Sequence, residues 1–201
     1  MTDLSELFKL FDPTLGTIDG LEPIERRLVD LHTMFSDKQA VTAALQAENH
    51  LIYSVTAVQP DEGDGALHYG IGCIMPGRIG DEYHMTKGHL HSRRAAAEVY
   101  IGLQGEGLML LEDERTGSSR TLPLQPHSVL YVPGATAHRT INIGASPLTY
   151  LGIYPADAGH DYGAIAERNF RQAVICRNGE AVVVERSDYL RQLERNTATG
   201  S

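Results

Sequence analysis

Gly80-Asp81-Glu82-Tyr83-His84-Met85-Thr86-Lys87-Gly88-His89-Leu90-His91 is the stretch that decides how this chain is read. It closes on a His-x-His pair. Glu98 follows seven residues after His91, and Gly105 seven residues after that. A second cluster, Val132-Pro133-Gly134-Ala135-Thr136-Ala137-His138-Arg139-Thr140-Ile141-Asn142, brings a further imidazole, His138. On a β-strand, residues i and i+2 point to one face. His89 and His91 therefore offer two imidazoles to one point while Leu90 turns away. The run Arg93-Arg94-Ala95-Ala96-Ala97 leaves room to turn, and Glu98 to Leu103 reads as the next strand. An antiparallel return of that strand brings Glu98 to face the histidines. Imidazoles with one carboxylate suit a divalent first-row ion such as iron, manganese, nickel or zinc. Four protein ligands leave open positions only at a five- or six-coordinate ion, which favours iron, manganese or nickel over zinc.

Around this stretch the chain reads as short strands set off by turns. Leu51–Val58 and Leu67–Ile74 are rich in β-branched and aromatic residues. Leu108–Leu111, Arg120–Leu124, Ser128–Val132, His138–Ile143 and Leu148–Tyr154 continue the series at a spacing of about 8–12 residues, which predicts an antiparallel sandwich or barrel. Helices are expected only at the periphery. Glu25–Leu31 reads equally as helix or strand. Ser36 is the expected N-cap of a helix through Leu45, and Ser187 of a C-terminal helix through Glu194. The expected organisation is a loop-rich extension over residues 1–35, a barrel over 36–184, and a C-terminal helix with a disordered tail over 185–201.

The chain has 201 residues, long enough for one sizeable core. Twenty-six acids against 17 bases give a formal charge of -9, which argues against nucleic acid or an anionic membrane as partner. No apolar run approaches the roughly 20 residues of a membrane span. The N-terminal residues lack the basic and apolar regions of a secretory signal. Two cysteines, Cys73 and Cys176, make no disulfide framework. These features predict a cytoplasmic protein.

Gly80 with His89, His91, Glu98 and Gly105 resembles the first motif of the cupins, and Pro133-Gly134, His138 and Asn142 the second. The longer strings Thr86 to His91, Tyr131-Val132-Pro133, Ala137 to Gly144, and Ile153-Tyr154-Pro155-Ala156-Asp157-Ala158-Gly159-His160-Asp161-Tyr162-Gly163 are similar to the cupin-type glucose-6-phosphate isomerases of archaea and bacteria. The resemblance runs from about Arg26 to Val184. It implies a cupin jelly-roll barrel, a double-stranded β-helix, in a homodimer. It implies interconversion of glucose 6-phosphate and fructose 6-phosphate with one divalent metal ion, held by His89, His91, Glu98 and His138, Fe2+ being favoured. It also implies that Tyr53, Thr86, Gly88, Tyr100, Tyr154, His160 and Tyr162 line the sugar-phosphate pocket. The chain departs from the family at Gly72, where a threonine is common, and at His127, which replaces a turn glycine.

An aldose–ketose isomerase moves hydrogen between C1 and C2. One route takes the C2 proton through an enediolate, with Glu98 as base; the other is a metal-assisted hydride shift. The residues alone leave both open. Thr86, Lys87 and the Gly88 amide are candidate donors to the phosphate, and His160 a candidate for ring opening. Two other readings are an iron dioxygenase and a non-catalytic cupin that binds sugar phosphates. The Thr86–Gly88 and Tyr154–Tyr162 strings favour the isomerase over the dioxygenase.

Overall fold

The computed structural model describes residues 7–166 and 168–199. Its strands, in chain order, are β1 (Phe11–Asp12), β2 (Thr17–Ile18), β3 (Ile24–Arg27), β4 (Leu51–Val58), β5 (Leu67–Ile74), β6 (Arg78–Ile79), β7 (Glu82–Tyr83) and β8 (Glu98–Gln104). They continue as β9 (Gly107–Asp113), β10 (Ser119–Leu124), β11 (Val129–Val132), β12 (Thr136–Asn142), β13 (Leu148–Pro155), β14 (Gln172–Arg177) and β15 (Glu180–Glu185). The helices are α1 (Leu28–Leu31), α2 (Lys38–Ala47), α3 (Gly163–Ala166) and α4 (Arg186–Thr199).

The protein is an all-β jelly-roll barrel of the cupin type with peripheral helices. Its main wall is a six-stranded sheet ordered β11-β8-β13-β5-β4-β3, and β10-β9-β12 forms a second wall. Both walls are antiparallel, as the short turns between strands require. Period-2 alternation sends Tyr53, Tyr100 and Tyr150 inward, where they meet Met109 and Ile141 of the other wall in one core. β12 is buried along its whole length. His138 lies on it, and so does Arg139, whose guanidinium stacks 4.5 Å above the Phe170 ring. A third sheet, β15-β14-β7-β6, and α4 close one flank.

Several local expectations are corrected. Glu25–Leu31 is strand and then helix, β3 passing directly into α1. Asp37, not Ser36, caps α2, its carboxylate accepting from the Ala40 amide at 2.9 Å. Ser36 instead donates its amide to Glu82, and its hydroxyl oxygen accepts from Arg186, a pair that no local pattern announces. Ser187 lies inside α4, which begins at Arg186 and runs past Glu194 to Thr199. The His89–His91 stretch is not laddered to β8. It touches β12 through a single His89–His138 bridge and the 157–163 segment through a Leu90–Asp161 bridge.

Candidate metal centre

Glu98 opens β8 and points inward, because its alternates Val99 and Ile101 face out. His138 points inward from β12. His89 and His91 reach the same point from the irregular stretch between β7 and β8, with Leu90 turned away and buried. One ligand-capable atom from each of the four lies within 4.8 Å of the others. Glu98 Oε2 stands 3.1 Å from His138 Nε2 and 3.3 Å from His91 Nε2.

These contacts are electrostatic and lack the alignment of hydrogen bonds. The Nε2 atoms of His89, His91 and His138 and Glu98 Oε2 are all buried and all unsatisfied. Four bare donor atoms aimed at one point is what a cation would require, and an unfilled polar cluster in a core is costly. The second nitrogens are spoken for. His91 Nδ1 lies 3.0 Å from the Ala96 carbonyl and His138 Nδ1 3.2 Å from that of Thr136. Each ring therefore carries its proton on Nδ1 and turns an Nε2 lone pair to the centre. The group can hold a divalent metal.

A proton and a cation compete for His91 Nε2: burial lowers this imidazole, but Glu98 and the Ala96 carbonyl raise it overall. Burial, with the neighbouring histidines, holds His89 well below the ordinary imidazole range, so it is neutral. Burial pushes the Glu98 carboxyl up, but His138 and His91 beside it prevail and hold it at about 2. Glu98 is thus a carboxylate at neutral pH.

The other sequence-derived residues gather around this centre. The His160 ring lies 4.5 Å from that of His89 and stacks on Tyr162 at 5.8 Å, and Tyr154 meets His160 edge-on. Tyr100 lies against His138, fully buried, its hydroxyl raised well above the ordinary range by burial and by Glu98. Lys87 Nζ sits 5.1 Å over the Tyr162 ring. Thr86 Oγ1 accepts from the Thr140 amide, leaving its own proton to donate. Tyr53, buried on β4, lies beside the Lys87 amide. Gly88 has a φ of 75°, and a Cβ there would come 2.6 Å from Phe170. Arg139 holds this turn by donating to the Lys87 carbonyl at 2.7 Å.

Gly72 is explained by its neighbour: a Cβ there would stand 2.4 Å from Tyr150 Cζ, so Tyr150 occupies that space. His127 takes the turn at φ 70° itself. His32, His50, His84 and His127 stay outside the four-residue group among the described residues.

Three features escaped the sequence reading. Gly152 faces Glu98, and a Cβ on it would come 2.9 Å from Oε1. A glycine within a strand marks a close approach, so Tyr150-Leu151-Gly152-Ile153-Tyr154 did carry the signal. His68 packs edge-on against Tyr154. Arg93 and Arg94 form a latch: Arg93 binds Asp157 at 2.8 Å, and Arg94 binds Asp161 at 2.6 Å and Glu114. They pin the segment that carries His160 and Tyr162.

The chain matches the family model described as Glucose-6-phosphate isomerase (GPI) over residues 25–192. It is 45% identical over 170 residues to the glucose-6-phosphate isomerase of Pyrococcus horikoshii, covering 85% of this chain and 89% of that one. It is 36% identical over 180 residues to a putative glucose-6-phosphate isomerase 1 of Rhizobium meliloti, covering 85% and 84%. Among solved structures, oxalate decarboxylase from Bacillus subtilis at pH 4.6 is 24% identical with a TM-score of 0.43, over 54% of this chain and 26% of that one.

Proposed function

The chain belongs to the glucose-6-phosphate isomerase family, and we propose that His89, His91, Glu98 and His138 hold one divalent transition metal, Fe2+ before Mn2+, Ni2+ or Zn2+, where glucose 6-phosphate and fructose 6-phosphate are interconverted. The observation that carries this reading is the set of four buried, unsatisfied ligand atoms converging on one point, with the rings of His160, Tyr154 and Tyr162 packed beside it. When bound, such an ion polarises a carbonyl and offsets negative charge developing on oxygen.

The rest falls to side chains of the chain itself. Oε2 of Glu98 is turned to the histidines, while Oε1 faces the space that Gly152 leaves open. In this reading Oε1 takes the C2 proton of the aldose, the C2–H pair forming the C1=C2 bond of an enediolate as the carbonyl electrons go to O1; the O2 proton then passes to O1, and Oε1 returns its proton to C1 as C2=O forms. Glu98 is ionised at neutral pH and so carries the lone pair this needs, while a carboxyl held at about 2 is a weak base that depends on acidification of the C2–H bond. His160, kept neutral by burial, can move a proton between the ring oxygen and the C1 hydroxyl. Tyr154 and Tyr162 offer rings to the sugar face, and Tyr100 a hydroxyl beside Glu98. Thr86, Lys87 and the Gly88 amide, with Tyr53 behind them, supply donors and a positive charge to the phosphate. The reaction is a step of glycolysis and gluconeogenesis, and the reading places the protein in the cytoplasm as a homodimer.

A coupled assay of fructose 6-phosphate to glucose 6-phosphate tests this. Turnover is expected to disappear with EDTA and to return when one divalent metal is restored. Undiminished turnover in protein shown by elemental analysis to be metal-free would sink the metal reading. Run in deuterated water, the same assay should place label on carbon; unlabelled product through many turnovers removes Glu98 as base in favour of a hydride shift.

A further inference from the structure

A sugar phosphate carries close to two negative charges at neutral pH, since its second pKa is about 6. Among the phosphate donors only Lys87 is charged; Thr86, Tyr53 and the Gly88 amide are neutral. The chain as a whole, at a formal charge of -9, repels an anion. A dianion held at the Thr86–Gly88 turn therefore calls for a second cation. Several arginines near the centre are already engaged. Arg93 and Arg94 bind Asp157, Asp161 and Glu114, and Arg168 binds Glu112. Arg139 is buried and donates to the Lys87 carbonyl and to Asn169.

Arg26 lies on β3, the edge strand of the six-stranded sheet. Glu25 and Arg27 share one face of this strand and pair with each other at 2.8 Å. Arg26 alternates with them and stands opposite Tyr53 of β4, whose ring is in the barrel core. Cross-strand partners share a face, so Arg26 takes the inner one. It is half-buried there, whereas Arg27 is exposed. The ladder shifts register between Arg26 and Arg27. Such bulges re-aim side chains and are common at barrel rims and beside active sites. The charge of Arg26 is felt at two phenols of the site: burial raises Tyr53 and Tyr162, and Arg26 works against that rise at both. Tyr53 lies beside the Lys87 amide, and Tyr162 under the Lys87 ammonium. Arg26 and Lys87 thus act on the same two side chains. Among the described residues Arg26 has no carboxylate at ion-pair distance, and its guanidinium donates to the carbonyl of its neighbour Glu25 at 2.9 Å.

We propose that Arg26 is a substrate-binding residue, its guanidinium donating paired N–H groups to the phosphate oxygens beside Thr86, Lys87 and the Gly88 amide. The proposal rests on the isomerase reading above and adds a residue to it. Arginine suits this task better than a second lysine, because its planar fork meets two phosphate oxygens at once. The resting contact is easily given up: Glu25 is exposed, so water can replace the guanidinium on its carbonyl. A contact to the phosphate is remote from C1 and C2 and holds ground state and transition state alike. It should therefore act on KM and leave kcat alone.

Steady-state isomerisation of fructose 6-phosphate tests this, with Arg26→Gln, Arg26→Lys and Arg27→Gln set beside the unmodified protein. Arg26→Gln is expected to raise KM roughly 10- to 100-fold, the span of a lost hydrogen bond to a charged group, with kcat little changed and far-UV circular dichroism intact. The constant for competitive inhibition by inorganic phosphate should rise by a similar factor. Arg26→Lys should recover part of the loss, since the charge returns without the fork. Arg27→Gln, on the opposite face of the strand, should match the unmodified protein. A folded Arg26→Gln protein with KM and phosphate inhibition close to those of the unmodified chain overturns the proposal, and so does a loss confined to kcat. Absent turnover in the unmodified protein would overturn the isomerase reading instead. Fructose 6-phosphate is then titrated against tyrosine fluorescence, which nine tyrosines and no tryptophan make available. Equal or absent binding in unmodified and Arg26→Gln protein overturns the role of Arg26 as well.

Discussion

A Cβ on Gly152 would stand 2.9 Å from Glu98 Oε1 and 3.7 Å from the Tyr100 ring, two groups buried in the same wall. Neither can give way: Glu98 is hemmed in by His91 and His138, and Tyr100 by Tyr150. The absence of a side chain at residue 152 therefore sets where the carboxylate rests. Gly152→Ala is expected to lower stability by about 1–3 kcal/mol through overpacking. It should also displace Glu98, weakening metal affinity by roughly 10- to 100-fold, as changes behind a ligand commonly do. Metal titration against Gly144→Ala, where the nearest atom to a new Cβ is 3.3 Å away, checks it. Equal affinity in the two variants would show that Gly152 does not position Glu98.

At the scale of elements, the pair Arg186–Glu82 joins three pieces of chain. Arg186 Nη1 donates to Glu82 Oε1 at 2.9 Å, and Arg186 Nε donates to the Phe170 carbonyl. Glu82 Oε2 accepts from the Ser36 amide just before α2. Both side chains are nearly inaccessible, so neither charge can fall back on water. Glu82→Gln should cost about 3 kcal/mol, because it leaves a buried guanidinium without its counter-charge. Adding Arg186→Met should recover most of that loss in urea denaturation; additive losses would mean the two residues act separately. None of this was legible in sequence, since the partners lie more than a hundred residues apart. Local patterns fared better. Leu51–Val58 and Leu67–Ile74 are strands to the residue, because β-branched and aromatic runs end at clear turn signals. The β14–β15 hairpin carries an equally clear signal in Asn178-Gly179, both at positive φ, which strand spacing alone does not pick up.

For the whole molecule, the four candidate ligands were legible because each lies in a recognisable string, whereas the geometry that gathers them was not. The expected antiparallel return of β8 onto the His89–His91 stretch does not occur. β8 pairs with β11 and β13, and it is closure of the barrel that brings β12 and His138 across. Strand order between distant segments depends on which faces can bury each other, and no local window contains that information. The centre thus joins both walls of the barrel, and a bound ion would act as a tie between them. Since the folded chain presents the four ligands together and the unfolded chain does not, an ion at about 100 times its dissociation constant adds about 2.7 kcal/mol. For a domain of this size that is roughly 5–10 °C in melting temperature. Calorimetry of metal-loaded protein with and without EDTA should show a drop of that order, and His138→Ala, lacking the ligand from the second wall, should show little. An equal melting temperature with and without chelator, in protein whose metal content has been measured and removed, would mean that no ion ties the two walls together.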